Sequence, residues 1–314
     1  MSSLSAVEGF TCGGLAGCAA VTFSNSAEVA KTRLQLQGEL SKRGGVKVYQ
    51  NVFDALLKTW RNEGIRGLQR GIGAAYFYQV ALNGCYIGFY EPIRRSINSA
   101  LDIEPSRQVA ATTLLAGSLS AVSGAFFSSP LFLVKARMQA YSPVLPIGTQ
   151  RYYKHAAHAL STIVLEEGPK GLMRGADAAM LRAAFAGMVQ VPSYIWAKGL
   201  LVRHGLGDPD SAATFVLSSA LSGALVCLAM QPADTALTRV YNQPTMVMPD
   251  GRLVGKLYKN PLDCMWKTLK IEGLHGWYKG ATAQFCFLLP QTIILLTAND
   301  IIVRLYLQAR DRPL

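Results

Sequence analysis

Apolar positions in this chain fall into long runs, and charged positions are confined between them. Six stretches hold no charged side chain: 9–27, 71–90, 108–134, 183–197, 211–233 and 280–299. A helix needs about 20 residues to cross the hydrocarbon core of a bilayer, and most of these runs reach that length. The fourth does so only by starting near Gly175 and taking in Asp177 and Arg182. The runs fall into three pairs, which predicts an all-α membrane protein with six spanning helices and both termini on one side.

Inside each pair the pattern changes. Val52, Leu56, Leu57 and Trp60 recur at helical spacing with Lys58 and Arg61 outside the stripe, so a short amphipathic helix is expected along the membrane surface. Ile163-Val164 and Met265-Trp266-Leu269 occupy similar places. A glycine-framed turn follows in each copy: Glu63-Gly64-Ile65-Arg66-Gly67-Leu68-Gln69-Arg70-Gly71, Glu167 to Gly175, and Glu272 to Gly280. Upstream of each lies a second element: Ser26-x-Glu28-x-x-Lys31-x-Arg33, Pro130-x-Phe132-x-x-Lys135-x-Arg137 and Pro232-x-Asp234-x-x-Leu237-x-Arg239. Copies spaced by roughly a hundred residues are too long for solenoid units. Internal repeats of hydrophobic helices are instead the usual build of membrane transporters. Gly9, Gly13 and Gly17 predict close helix packing, and Asn242 to Gly255 reads as a flexible polar insert. The linkers near 98–107 and 204–211 are short, so residues 1–314 are expected to form one integrated domain with repeats at about 8–100, 108–204 and 211–310.

Composition sharpens this picture. Half of the residues are apolar, 16% are charged and the net charge is +12. The positive charge collects in the loops inside each pair: Lys42, Arg43, Lys47, Lys58, Arg61, Arg66 and Arg70; then Arg151, Lys154, Lys170 and Arg174; then Arg252, Lys256, Lys259, Lys267, Lys270 and Lys279. These loops are expected on the side that retains positive charge. No nucleic-acid-binding motif accompanies the charge, so a nucleic-acid partner is not expected. The six cysteines show no C-x-x-C spacing and read as reduced packing residues. His155 and His158 have no third ligand in reach, so no metal site is expected. With no nucleophile–base set, neither enzyme chemistry nor a cofactor is indicated. The segment Met1 to Val7 is shorter than a signal or transit peptide, so targeting information is expected to be internal.

The triplicated acid-x-x-base-x-Arg element with its glycine-framed partner resembles the mitochondrial carrier family over essentially the whole chain. Gly88-Phe89-Tyr90-Glu91-Pro92-Ile93-Arg94, Ser129 to Lys135, and Tyr241-Asn242-Gln243 resemble its fungal oxaloacetate-carrier branch. The resemblance implies a threefold pseudosymmetric six-helix barrel in the inner mitochondrial membrane, opening alternately to either side and functional as a monomer. It also implies the lipid bilayer as a partner, with cardiolipin a candidate at the glycine turns. An acid and a base at i and i+3 share a helix face, so each acid should reach the next helix's base. The matrix ring is then Glu28 with Lys135, Asp234 with Lys31, and Phe132 with Leu237, braced by Gln35, Gln139 and Tyr241. Both departures from the charged pattern fall on one pair, which leaves neither charge unmatched. Ser26, standing where the family has proline, predicts a less kinked first helix. At the opposite, cytoplasmic mouth, the pairs expected are Glu91 with Lys198 and Asp300 with Arg94.

Arg182 is the one basic residue deep in a span, where lipid exposure would cost about 2.5–3.5 kcal/mol or more. It should face water or a counter-anion, and a guanidinium suits a carboxylate. In the family this position contacts substrate. Gln79, Asn83, Gln190 and Gln291 are candidate linings of the same cavity. Tyr86 and Phe287 stand where oxaloacetate-type carriers hold arginines, which points to less substrate charge or a bulkier acid. The leading reading is an antiporter of small organic anions, oxaloacetate- or dicarboxylate-like. The alternatives are a carrier for a bulkier or less charged carboxylate, and a non-transporting relative acting as a membrane sensor or assembly factor.

Overall fold

The computed structural model describes residues 6–40, 48–104, 109–205, 208, 211–247 and 253–310. Six long helices follow the apolar runs: α1 Ala6–Leu36, α3 Ile72–Ala100, α4 Ala110–Ala140, α6 Ala176–Arg203, α7 Ala212–Asn242 and α10 Ala281–Arg310. Each overshoots its uncharged run, because the motif charges continue the helix past the apolar stretch. Short helices α2 Val52–Leu68, α5 Ala156–Glu167 and α8 Pro261–Glu272 stand within the three pairs, with a one-turn α9 Leu274–Trp277 after α8. The long helices close a ring in the order α1, α3, α4, α6, α7, α10 and back to α1, while α1, α4 and α7 also meet one another. Those three odd helices therefore converge at the end that carries the short helices.

By length and composition alone, three segments of the described residues qualify as membrane spans: Leu115–Ala140, Leu217–Asn242 and Leu274–Gln308. The other three expected spans are diluted by polar and small residues. α1 carries Ser24, Asn25 and Ser26, α3 carries Gln79 and Asn83, and α6 carries Asp177 and Arg182.

Local chemistry starts the short helices. Asn51 and Asn260 cap α2 and α8 by accepting from Asp54 N at 2.9 Å and Asp263 N at 2.8 Å. His155 does the same for α5, its Nδ1 accepting from His158 N at 3.1 Å, so that ring nitrogen is engaged in a cap. On α2 the expected single apolar stripe is split in two. Val52 and Ala55 are buried, with Leu56 packed against the same cluster. Phe53, Leu57 and Trp60 face outward, because the helix needs one face for the bundle and one for its surroundings.

Two further expectations change. The insert after α7 is an antiparallel ribbon, β1 Thr245–Val247 on β2 Leu253–Gly255, and Arg151 donates to its Thr245 Oγ1 at 3.1 Å. Along α1, a Cβ on Gly17 would lie 2.8 Å from Gln79 Cγ, whereas one on Gly13 would meet nothing within 4 Å. Close approach of α1 to α3 therefore rests on Gly17, while Gly13 does not take part; the surroundings of Gly9 lie outside the described residues.

Candidate functional site

Where the three odd helices converge, four charges are buried together. Lys135 Nζ lies 2.5 Å from Glu28 Oε1, and Lys31 Nζ lies 2.8 Å from Asp234 Oδ2, each side chain almost wholly covered. The third contact is apolar: Phe132 packs against the cluster that holds Leu237. A buried pair missing one partner costs about 3–5 kcal/mol, and here both partners are apolar. Amides fill the next layer. Gln35 Nε2 donates to Asp234 Oδ2 at 2.7 Å, and Gln139 Nε2 donates to Glu28 Oε2 at 3.2 Å. In the third position Tyr241 Oη lies 2.8 Å from Ser129 Oγ, its ring beside Phe132.

Below that layer a second threefold set holds each repeat to its own turn. Arg33 meets Glu63 at 2.6 Å, Arg137 meets Glu167 at 2.8 Å and Arg239 meets Glu272 at 2.7 Å. Each glutamate also receives the base that precedes the turn glycine: Arg70 at 3.3 Å, Arg174 at 2.9 Å and Lys279 at 2.5 Å. Burial works against the Glu167 and Glu272 carboxylates. The hydrogen bonds and charges of Arg137 and Arg239, aided by Arg174, Arg151 and Lys279, hold both below the ordinary carboxylate range. Reading the sequence motif by motif missed these links. The available signal was the similar separation, 30, 30 and 33 residues, between arginine and glutamate.

The glycines follow from this geometry. Gly71, Gly175 and Gly280 have φ of +76°, +78° and +78°, in the left-handed region that side chains disfavour. A Cβ on Gly175 would also lie 2.8 Å from Tyr241 Cε1, and one on Gly280 would lie 3.1 Å from Gln35 Cγ. The start of each even helix thus rests on the tail of a neighbouring odd helix.

Just inside the four-charge layer lies a small cleft lined by Tyr78, Ala125, Phe132, Ala179, Arg182 and Leu237. The Arg182 guanidinium sits 6.0 Å from the Phe132 ring centre, and its ion-pair partner, Asp234 Oδ1, is 3.8 Å away. That oxygen is buried and accepts no hydrogen bond among the described residues. Arg182 stands seven residues past Gly175, and the same offset from Gly71 and Gly280 falls on Tyr78 and Phe287. Tyr78, which the reading of the sequence did not single out, therefore shares the level of Arg182. Phe287 is buried, with Lys31 Nζ 5.8 Å from its ring centre. Tyr86 is exposed beside Tyr90, with ring centres 6.4 Å apart. It stands eight residues beyond Tyr78, about 12 Å along the helix axis. Gln79 and Asn83 are partly covered beside Gly17. Gln190 is exposed, its carbonyl taking bonds from Ser193 and Ser222, and Gln291 is partly covered.

At the opposite mouth Glu91 is paired otherwise than expected, and the expected pair of Asp300 with Arg94 lies outside the described residues. Glu91 accepts from Arg94 Nη2 at 2.7 Å and Arg95 Nε at 2.9 Å, both on its own helix, and not from Lys198. Residues three and four apart on one helix are within easy reach, whereas Lys198 belongs to α6. The side chain of Asp300 lies outside the described residues, as do Lys42, Arg43, Lys47 and Arg252. One end of the bundle is thus closed by ion pairs that cross between helices, while at the other Glu91 pairs along its own helix and Tyr306 of α10 donates to Glu8 of α1 at 2.6 Å.

Comparison with known proteins agrees with this layout. The family description "Mitochondrial carrier protein" matches residues 2–100, 106–205 and 208–310. The mitochondrial oxaloacetate transport protein of Schizosaccharomyces pombe is 46% identical over 98% of this chain and 93% of its own length. The protein of the same name from Saccharomyces cerevisiae is 44% identical, covering 97% and 91%. Mitochondrial citrate transporter E of Aspergillus niger is 43% identical, covering 96% and 94%. With its three matched repeats and near full-length likeness to such proteins, the chain belongs to the mitochondrial carrier family.

Proposed function

We propose that this carrier exchanges small organic anions of the oxaloacetate and dicarboxylate type by alternating access. As a member of its family it is a transporter of the inner mitochondrial membrane and not an enzyme. The observation that carries the reading is Arg182: a cation at the floor of the cleft, 3.8 Å from its carboxylate neighbour and beyond hydrogen-bond length from it. A substrate carboxylate can take the two parallel bonds that Asp234 leaves unmade. Tyr78 supplies a hydroxyl at the same level, and Tyr86, Asn83, Gln79, Gln190, Gln291 and Phe287 complete the proposed lining. The charged layer of Glu28, Lys135, Lys31 and Asp234 serves as the matrix gate, with Phe132 and Leu237 as its apolar link. Gln35, Gln139 and Tyr241 brace it. Glu91, Arg94, Lys198 and Asp300 serve as the cytoplasmic gate in this reading. The unit is proposed to act as a monomer, with anionic lipid at the glycine turns.

The names of the Schizosaccharomyces pombe and Saccharomyces cerevisiae relatives support oxaloacetate as the type of substrate. A bulkier carboxylate is a second reading. It is favoured by the aromatic rings of Tyr78 and Phe132 beside a single arginine, and by the name of the Aspergillus niger relative. Competition by unlabelled oxaloacetate, sulfate, malate and citrate in proteoliposomes of the purified protein separates the two. Stronger inhibition by oxaloacetate supports the first reading, and stronger inhibition by citrate supports the second. No uptake of any of them overturns both and leaves the non-transporting alternative.

A further inference from the structure

The threefold plan has one acid out of place. Past the arginine that binds each repeat's own glutamate, the chain turns toward the junction of a neighbouring repeat. Six residues beyond Arg137 and Arg239 stand Pro143 and Thr245, but six beyond Arg33 stands Glu39. The turn that carries it is held in an unusual shape: Gly38 and Leu40 have φ of +63° and +53°, the second costly for a residue with a branched side chain. It is tied down on both flanks. Leu40 N donates to Glu272 Oε1 at 2.8 Å, and Lys279 Nζ donates to the carbonyls of Gln37 and Gly38 at 3.1 and 3.2 Å. Between these ties the Glu39 carboxyl is enclosed, and its Oε1 is buried with no hydrogen-bond partner among the described residues. The buried Tyr258 hydroxyl faces this carboxyl.

The charged and titratable groups around Glu39 come from every element packed there: Arg239 from α7, Glu272 and Cys264 from α8, Tyr258 from the segment before α8, and Lys279 from the turn before α10. Both cations are already committed to Glu272, so the second carboxylate finds little compensation. Burial, the largest influence, pushes the Glu39 carboxyl above its ordinary range despite Arg239, the Tyr258 hydroxyl and Lys279, with the Glu272 charge adding to the rise.

We propose that Glu39 is a proton-binding site on the matrix rim, held neutral while that rim is closed and ionised when the first and third repeats part. The proton is the ligand, and release to matrix water accompanies opening. Acid on the matrix side then favours the closed rim, and alkali favours opening. The coupling to transport rests on the carrier reading above, whereas the proton site itself does not.

The sign for stability is fixed by the direction of the shift. A carboxyl whose folded value lies above its unfolded value stabilises the fold at low pH. That contribution is lost as pH rises through the folded value. The test compares wild type with Glu39→Gln, which copies the neutral form, as full-length purified protein. Melting temperature in detergent is read from pH 5 to 8, and oxaloacetate exchange in proteoliposomes from pH 6 to 8. Wild type should melt progressively lower than Glu39→Gln as pH rises, and its exchange should accelerate at least about threefold while the variant stays flat. Should Glu39→Gln fail to fold, Glu39→Ala serves instead, since it too must abolish the pH dependence. A melting difference that stays constant across pH, or parallel exchange profiles, overturns the proposal. A pH-dependent melting difference in a protein that moves no anion keeps the proton site and overturns the transport reading.

Discussion

Truncating Arg182 to Ala removes the contact proposed for the substrate carboxylate, while the buried Asp234 keeps its Lys31 partner at 2.8 Å. Arg182→Ala should therefore abolish uptake with little change in melting temperature. Arg182→Lys should restore only part of the activity, because an ammonium cannot offer the two-pronged geometry. The buried pair Glu28 and Lys135, 2.5 Å apart, behaves differently. Either charge reversed alone faces a like charge in a covered site and should impair both folding and transport. The double swap should recover part of each, and a double-mutant cycle measures their coupling. Purely additive losses would show that the two do not act together. Glu167 and Glu272 set the acid limit. With folded values held below the ordinary carboxylate range, their stabilisation is full at neutral pH and is lost as pH falls through those depressed values. Wild type should thus lose melting temperature at the acid extreme, and Glu167→Gln should lose less on acidification while starting lower.

At the scale of elements, the glycine turns sort by surroundings. Gly175 and Gly71 both lie in the left-handed region, with φ of +78° and +76°. A Cβ on Gly175 would lie 2.8 Å from the Tyr241 ring, whereas one on Gly71 would lie 3.2 Å from Gln139 Cγ, part of a more flexible side chain. Both alanine variants should lose the roughly 1 kcal/mol or more of a strained left-handed residue, and Gly175→Ala should lose distinctly more, seen as a lower melting temperature. Equal losses would show that the fit of α6 against the tail of α7 is loose. The elements themselves were legible in the sequence, because uncharged runs and glycine-framed turns are local signals. Their finer shape was not. The second apolar face of α2 depends on what packs beneath Val52 and Ala55, and the ribbon from Thr245 to Gly255 depends on pairing that no periodicity announces in so short a segment. Tyr78 escaped notice because a tyrosine in an apolar run looks like packing until the helix places it beside Arg182. The intrahelical bonds of Glu91 reflect the conformation adopted, which sequence does not encode.

For the whole molecule, the short-helix end is sealed among the described residues by ion pairs that cross between helices, whereas Glu91 at the other end pairs along its own helix. The central claim is that an organic anion passes through the cleft on Arg182. The most direct test is uptake of labelled oxaloacetate into proteoliposomes preloaded with unlabelled anion, for wild type and Arg182→Ala matched in melting temperature. The account predicts exchange by wild type and none above the protein-free background by the variant. Equal exchange by both would contradict it.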